Sequence, residues 1–221
     1  MNLPDNLLGE TWCWMAWLIW LPLFARSVFK APWRRLKDSE QMNVWLGMIV
    51  LLTLFWCLKA GVKPGLNFHL LGATVFTLCF GPHLAFVGLC LVLAGATLNG
   101  AAGPFAYAVN ALLLAGAGVV VAQTVHRLVS RLLPAQFFVF IFVNSFFGAA
   151  LTIIVVGFLI TLVLSFSGAY AWEYLIDEYF PYFMLLGFSE AWLSGMLTTL
   201  FVIYRPDWIS SFDDSRYLAN K

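Results

Sequence analysis

The chain has 221 residues, 62% hydrophobic and 10% charged, with a mean hydropathy of +0.88 and a formal net charge of +1. Soluble domains carry about 25% charged residues, so this composition marks an all-α integral membrane protein with room, at about 20 residues per span, for six to eight helices and no sizeable soluble domain. The sequence contains no Gly-x-x-x-x-Gly-Lys-Ser/Thr phosphate loop; the chain is not expected to be an enzyme, and ATP hydrolysis, if coupled to it, would belong to a separate ATPase.

Residues 1–10 precede the first apolar run. Asp5 and Glu10 stand there in place of the Lys or Arg that opens a signal peptide, so the segment is expected to be retained. Pro4 stiffens it, which lowers the entropic cost of folding it back into the protein; the other reading is a short free lead into the first helix. Seven helices are predicted, at about residues 11–29, 43–60, 69–80, 83–98, 104–125, 136–166 and 182–204. Only Gly81-Pro82 separates the third from the fourth, and the proline forces a break there. Small residues crowd the middle of the chain: Gly72, Ala73, Gly95, Ala96, Ala101 to Gly103, and Ala115 to Gly118. They let backbones approach closely in lipid and predict that helices three to five form the tightly packed core.

Orientation follows from the cations. With the amino terminus outside, Arg26, Lys30, Arg34, Arg35, Lys37, Arg127, Arg131, Arg205, Arg216 and Lys221 fall on the cytoplasmic side, and only Lys59 and Lys63 fall outside. The carboxyl terminus, with residues 208–221 as a tail, is then cytoplasmic, and residues 1–10 are external. Trp12, Trp14, Trp17, Trp172, Tyr174 and Tyr179 are placed near the outer interface, and Trp33, Trp45 and Trp208 near the inner one. The whole of 1–221 reads as one transmembrane domain in a cell's inner (plasma) membrane.

Few residues can carry chemistry. His69 enters the membrane at the outer end of the third helix, where a histidine is costly and marks a site, although a hydrogen-bonded helix-start histidine would look the same. Glu190 is the only carboxylate well inside a predicted span, about 10 Å along its helix; it either orients His69 or the amino terminus, or pairs structurally with a backbone or hydroxyl group. Asn99 and Asn110 can close the outer end of the site by bonding a folded-back terminus, or Asn110 can serve helix packing alone. His83 and His126 lie toward the inner edge and read as interfacial. Cys13, Cys57, Cys79 and Cys90 form no Cys-x-x-Cys pair and read as small buried hydrophobes.

A family resemblance covers nearly the whole chain. His69-Leu-Leu-Gly72, Leu78-Cys-Phe-Gly-Pro82, Asn99-Gly100, Asn110, the start Met1-Asn-Leu-Pro-Asp5, and Ser189-Glu-Ala191 followed by Arg205-Pro-Asp207 are similar to motifs of the substrate-specific membrane subunit of cobalt and nickel energy-coupling-factor ABC transporters. The resemblance implies uptake of a transition-metal ion, Ni(II) or Co(II), with no permanently bound cofactor. It also implies a scaffold membrane subunit and cytoplasmic ATPases as partners within the lipid bilayer, and no nucleic acid. It implies a metal held by the terminal amine, the backbone nitrogen and imidazole of residue 2, and the imidazole of the His-Leu-Leu-Gly segment, so that Met1, Asn2 and His69 are the candidate ligands here. Planar nitrogen ligation suits Ni(II) and rejects Mg(II). One departure stands out: position 2 is Asn, whose amide offers a weak oxygen donor and no basic nitrogen. That departure keeps open a divergent member that carries another solute, or a regulatory or assembly protein. A membrane haem protein using His83 and His126 is the reading from the enzyme class.

Overall fold

The computed structural model describes residues 1–58 and 60–213. Lys59, Arg216 and Lys221, three of the cations that set the predicted orientation, lie outside the described residues, as does most of the predicted tail.

Helix α1 (Glu10–Lys30) ends at Ala31, where the following Pro32 imposes extended backbone. After a short 3-10 turn at Trp33–Lys37, α2 (Ser39–Cys57) starts under a side-chain cap, with Asp38 accepting the Glu40 N–H at 2.9 Å. A two-stranded hairpin follows, β1 (Ala60–Lys63) and β2 (Leu66–Phe68). The sequence predicts no strand here, where residues 61–68 stand as the link between two predicted helices. Residues 69–72 are irregular and lead into α3 (Ala73–Leu98). The remaining long helices are α4 (Tyr107–Leu132), α5 (Phe137–Phe166) and α7 (Pro181–Tyr204), with the short α6 (Trp172–Glu178) between the last two. Both α4 and α5 contain a π-helical stretch, at Ala111–Gly116 and Phe140–Phe147.

Six helices among the described residues are long and apolar enough to cross a membrane when α3 counts once. It is not one straight rod. Gly81 sits at φ 75°, ψ 170°, and a side chain added to Gly88 would come within 2.6 Å of the Phe76 ring. In a straight helix those residues would stand about 18 Å apart. Gly72 faces Leu52 while Gly95 faces Thr53, and the Trp45 indole donates to Leu84 O at 3.3 Å. The limb before Gly81 thus runs antiparallel to α2, and the limb after it runs parallel. The helical break predicted at Gly81-Pro82 is a reversal, and the positive φ explains why glycine occupies the corner. The first limb is only about 12 Å long, too short to span hydrocarbon alone.

The reversal leaves carbonyl groups without helical partners, and they are satisfied from elsewhere in the chain. Cys79 O accepts from an Arg35 guanidinium N–H at 2.7 Å and from Ser210 N at 3.0 Å; Leu78 O accepts from Ser211 N and from the Ser210 and Ser211 hydroxyls. Arg35 also donates to Asp207 O and Trp208 O. Residues 205–212 therefore close the end of the bundle opposite Met1 and the hairpin. Seven helical segments, counting the two limbs, connect the two ends.

About 78% of the apolar stretch of α3 is buried, against 17% for α1 and 22% for α2, so α3 is the core and α1 and α2 present their faces to lipid. The small residues act as predicted. Gly118 meets Ala73 and Leu71, and Gly157 lies under the Phe183 ring. Two residues assigned to the interfacial belts are instead buried: Trp45, bonded to Leu84 O, and Tyr179, packed against Phe68 and Phe183. Periodicity could not distinguish them from rings at the interface.

Candidate functional site

The amino terminus folds back into the protein. Met1 and Leu3 are fully buried and Asn2 is 1% exposed. Two asparagines, Asn67 and Asn110, hold this segment in place, supplying the bonds that a buried extended backbone must find. The Met1 amine donates to Asn67 O and, at 2.6 Å, to Asn67 Oδ1; the same Oδ1 accepts from Asn2 N at 3.0 Å, and Asn67 Nδ2 donates to Asn2 O at 3.1 Å. Asn110 makes the matching pair on Leu3, accepting from Leu3 N at 2.9 Å and donating to Leu3 O at 3.0 Å. Gly103 N also donates to Leu3 O, and Asp5 Oδ1 accepts from Ala106 N at 2.8 Å. Any Cβ at position 103 would collide with Asp5, so glycine is required where the two backbones touch.

His69, 4% exposed, meets this segment directly, with Nε2 3.1 Å from Asn2 Oδ1 and Nδ1 3.1 Å from Leu70 O. Its ring packs 4.9 Å from that of Trp56, whose indole donates to Leu71 O. Glu190 accepts from Leu71 N at 3.1 Å and Gly72 N at 2.5 Å. It therefore fixes the backbone two and three residues beyond His69. The histidine precedes α3 and does not open it, as the sequence reading had it.

The structure thus brings together Met1, Asn2, His69 and Asn110, with Glu190 bound to the adjoining loop. Asn99 is elsewhere: it is exposed at the end of α3, its N–H bonded to Gly95 O. The role expected of it falls to the backbone of Gly103 and Ala106, because the loop turns outward at Gly100 and returns over the terminal segment. The residue that sequence reasoning missed is Asn67. The sequence predicts no strand over residues 66–68, so nothing in it sets Asn67 apart.

An open polar cleft of about 650 Å³, lined among others by Asn2, Asp5, Lys63, Asn67 and Gly103, leads to the terminal segment. Lys63 at its rim lies 4.0 Å over the Tyr174 ring, and hydrogen bonding with Tyr174 raises its pKa above the ordinary lysine value. No group of three or more His, Cys, Asp or Glu side chains with metal-binding spacing occurs among the described residues. A cation at Asn2 and His69 would therefore draw on amide oxygen and the terminal amine as well as imidazole. His83 stands at the reversal beside Lys30 and Arg26, and His126 packs 6.4 Å from Phe140 on α4; neither is brought to the terminal segment.

A family model described as the cobalt uptake substrate-specific transmembrane region matches residues 2–208. Two crystal structures are similar in fold. One, of a truncated transition metal transporter, has a TM-score of 0.77 at 19% identity and covers 92% of this chain and 98% of that one. The other, of a transition metal transporter, has a TM-score of 0.76 at 17% identity and covers 92% and 93%. No curated protein matches the chain.

Proposed function

Because the chain belongs to the family of cobalt uptake substrate-specific transmembrane regions, we propose that it is the substrate-binding and translocating subunit of an energy-coupling-factor type ABC transporter that imports Co(II) or Ni(II). Its place as a multi-pass membrane component of a metal-uptake family is the premise; the ion, the scaffold subunit, the ATPases and the inner-membrane location are parts of the proposal. The observation that carries it is the burial of the amino-terminal segment against His69, with Asn2 Oδ1 3.1 Å from the imidazole nitrogen. Burying a terminal amine costs desolvation, and a ligating role gives that cost a purpose. Protein purified without a histidine tag and dialysed against Co(II) or Ni(II) should retain close to one equivalent of metal. Retention of none would favour the divergent reading, in which the Asn2 to His69 contact is a permanent structural bond and another solute is carried.

The capture site is proposed to face outward, with residues 205–212 cytoplasmic, from the distribution of cations between the two ends of the bundle. Asn6 and Lys37 are both exposed and lie toward opposite ends. In a Cys57→Ser background, Asn6→Cys is expected to react with an impermeant thiol reagent from outside and Lys37→Cys only after permeabilisation. The reverse pattern would place the cleft on the cytoplasmic face and end the uptake proposal.

A further inference from the structure

Helix α1 is held to the bundle through its middle turns. Trp17 and Trp20 pack on Tyr107 of α4, with ring centroids 6.0 and 5.3 Å apart, and Phe24 packs on Phe86 of α3 at 6.4 Å. Toward the Gly81-Pro82 reversal the three helices leave a groove of about 340 Å³, lined by Leu23 and Ser27 of α1, His83 and Phe86 of α3, and Gly116 and Val120 of α4 among others. Apart from Ser27 and His83 the lining is apolar. Leu23 and Val120 are exposed, so the groove opens on the lipid face of the bundle.

Two cations stand beside it. Arg26 and Lys30 each follow a lining residue of α1, Leu23 and Ser27, by three positions, and residues three apart share a helix face. They are also the charges that act on His83. Three basic side chains from two helices thus converge at the polar end of an apolar slot. Neither Arg26 nor Lys30 forms an ion pair among the described residues. Carboxylates at this end of the bundle serve other groups: Asp38 caps α2, Glu40 pairs with Arg205 at 3.2 Å, and Asp207 acts on Arg35.

Uncompensated cations next to an apolar slot between membrane helices match an anionic headgroup carried on an acyl chain. The volume favours a chain over a protein helix, since one turn of a helix about 10 Å across occupies more than this space. We propose that the groove between α1, α3 and α4 binds one acyl chain of an anionic phospholipid, whose headgroup phosphate is held by Arg26, Lys30 and His83. Guanidinium, ammonium and imidazole N–H groups donate to phosphate oxygens, and the bonds from the two cations are charge-assisted. A zwitterionic phospholipid brings a cation of its own to the same place and gains less. The bound lipid fills the space between α4 and α1, the least buried of the spans, and ties the end of α1 to the reversal. In the orientation proposed above, the site lies in the inner leaflet.

Gly116 gives a way to close the groove without touching a charge. A Cβ there would meet only Ala111 O at 3.5 Å and the Phe86 ring at 3.7 Å, both ordinary contacts. The test is native mass spectrometry of the purified full chain with phosphatidylglycerol or phosphatidylcholine of identical acyl chains. The parent is expected to retain one phosphatidylglycerol, with a preference of about ten-fold over phosphatidylcholine. The double variant Arg26→Gln with Lys30→Gln should lose the preference, whereas Lys37→Gln, which removes an exposed cation that neither lines the groove nor acts on His83, should keep it. Gly116→Leu should retain neither lipid; if its thermal unfolding shows a damaged fold, Val120→Trp narrows the groove from an exposed position and should have the same effect. Equal retention of the two lipids by the parent, or an undiminished preference in the double variant, overturns the anionic site and leaves the groove to a partner protein. Undiminished retention by a folded groove-filling variant overturns the location. None of these outcomes depends on whether the chain binds a metal ion.

Discussion

His69→Ala is expected to weaken Co(II) or Ni(II) binding by about 100-fold or more, which corresponds to roughly 2.8 kcal/mol, while His126→Ala leaves it unchanged. The histidine is buried with its Nε2 directed at Asn2 and its ring held by Trp56. It is the only imidazole the fold brings to the terminal segment among the described residues; His126 lies on α4 against Phe140. Calorimetric titration of both variants measures the difference, and thermal unfolding of the metal-free proteins separates lost ligation from lost fold. Equal binding by parent and His69→Ala would move the site elsewhere. Amine and imidazole ligate only when deprotonated, so affinity in the parent should fall as pH is lowered. An affinity indifferent to pH would contradict a nitrogen-containing ligand set.

Extending the chain ahead of Met1 by a single residue is expected to abolish metal binding. The amine is enclosed and its hydrogens are directed at Asn67. An added residue has no space unless residues 1–5 withdraw. Withdrawal would break the paired bonds of Leu3 with Asn110, the bond from Gly103 to Leu3 and the bond from Ala106 to Asp5. Each lost bond at a buried group costs about 1–3 kcal/mol, so the extended chain is caught between a blocked ligand and an unplugged site. A cleavable amino-terminal tag measures this: binding should be absent before cleavage and return when Met1 is again the first residue. Full affinity with the tag in place would show that the terminus is not a ligand.

Membrane class, the helical segments and the break at Gly81-Pro82 were readable from the residues, whereas the folding back of the amino terminus was legible only through the family resemblance. The former rest on composition and local chemistry: an apolar run long enough to span lipid and a proline that cannot continue a helix. The nature of the break was not readable. A kink and a reversal have the same local signature, and only the packing of Phe76 on Gly88 and of Gly95 on Thr53 distinguishes them. Glu190 was recognised as purposeful because it lies in a span, yet its partners, the N–H groups of Leu71 and Gly72, are backbone groups more than a hundred residues away that carry no sequence label.

The asparagines mark the same boundary. Asn2, Asn67, Asn99 and Asn110 are chemically identical in sequence, and sequence motifs single out Asn2, Asn99 and Asn110 but not Asn67. Tertiary structure buries Asn110 on Leu3 and Asn67 on Met1 and Asn2, and leaves Asn99 at the surface. An amide has two donors and two acceptor lone pairs whatever its neighbours, and nothing in its own position says which backbone will reach it. By itself the sequence determined that this is a helical membrane protein with one costly histidine and an unusual second residue. Only the folded chain decided that the β1–β2 hairpin would carry Asn67 to the terminal amine, because that meeting joins residues more than sixty positions apart through hydrogen bonds that no periodicity encodes.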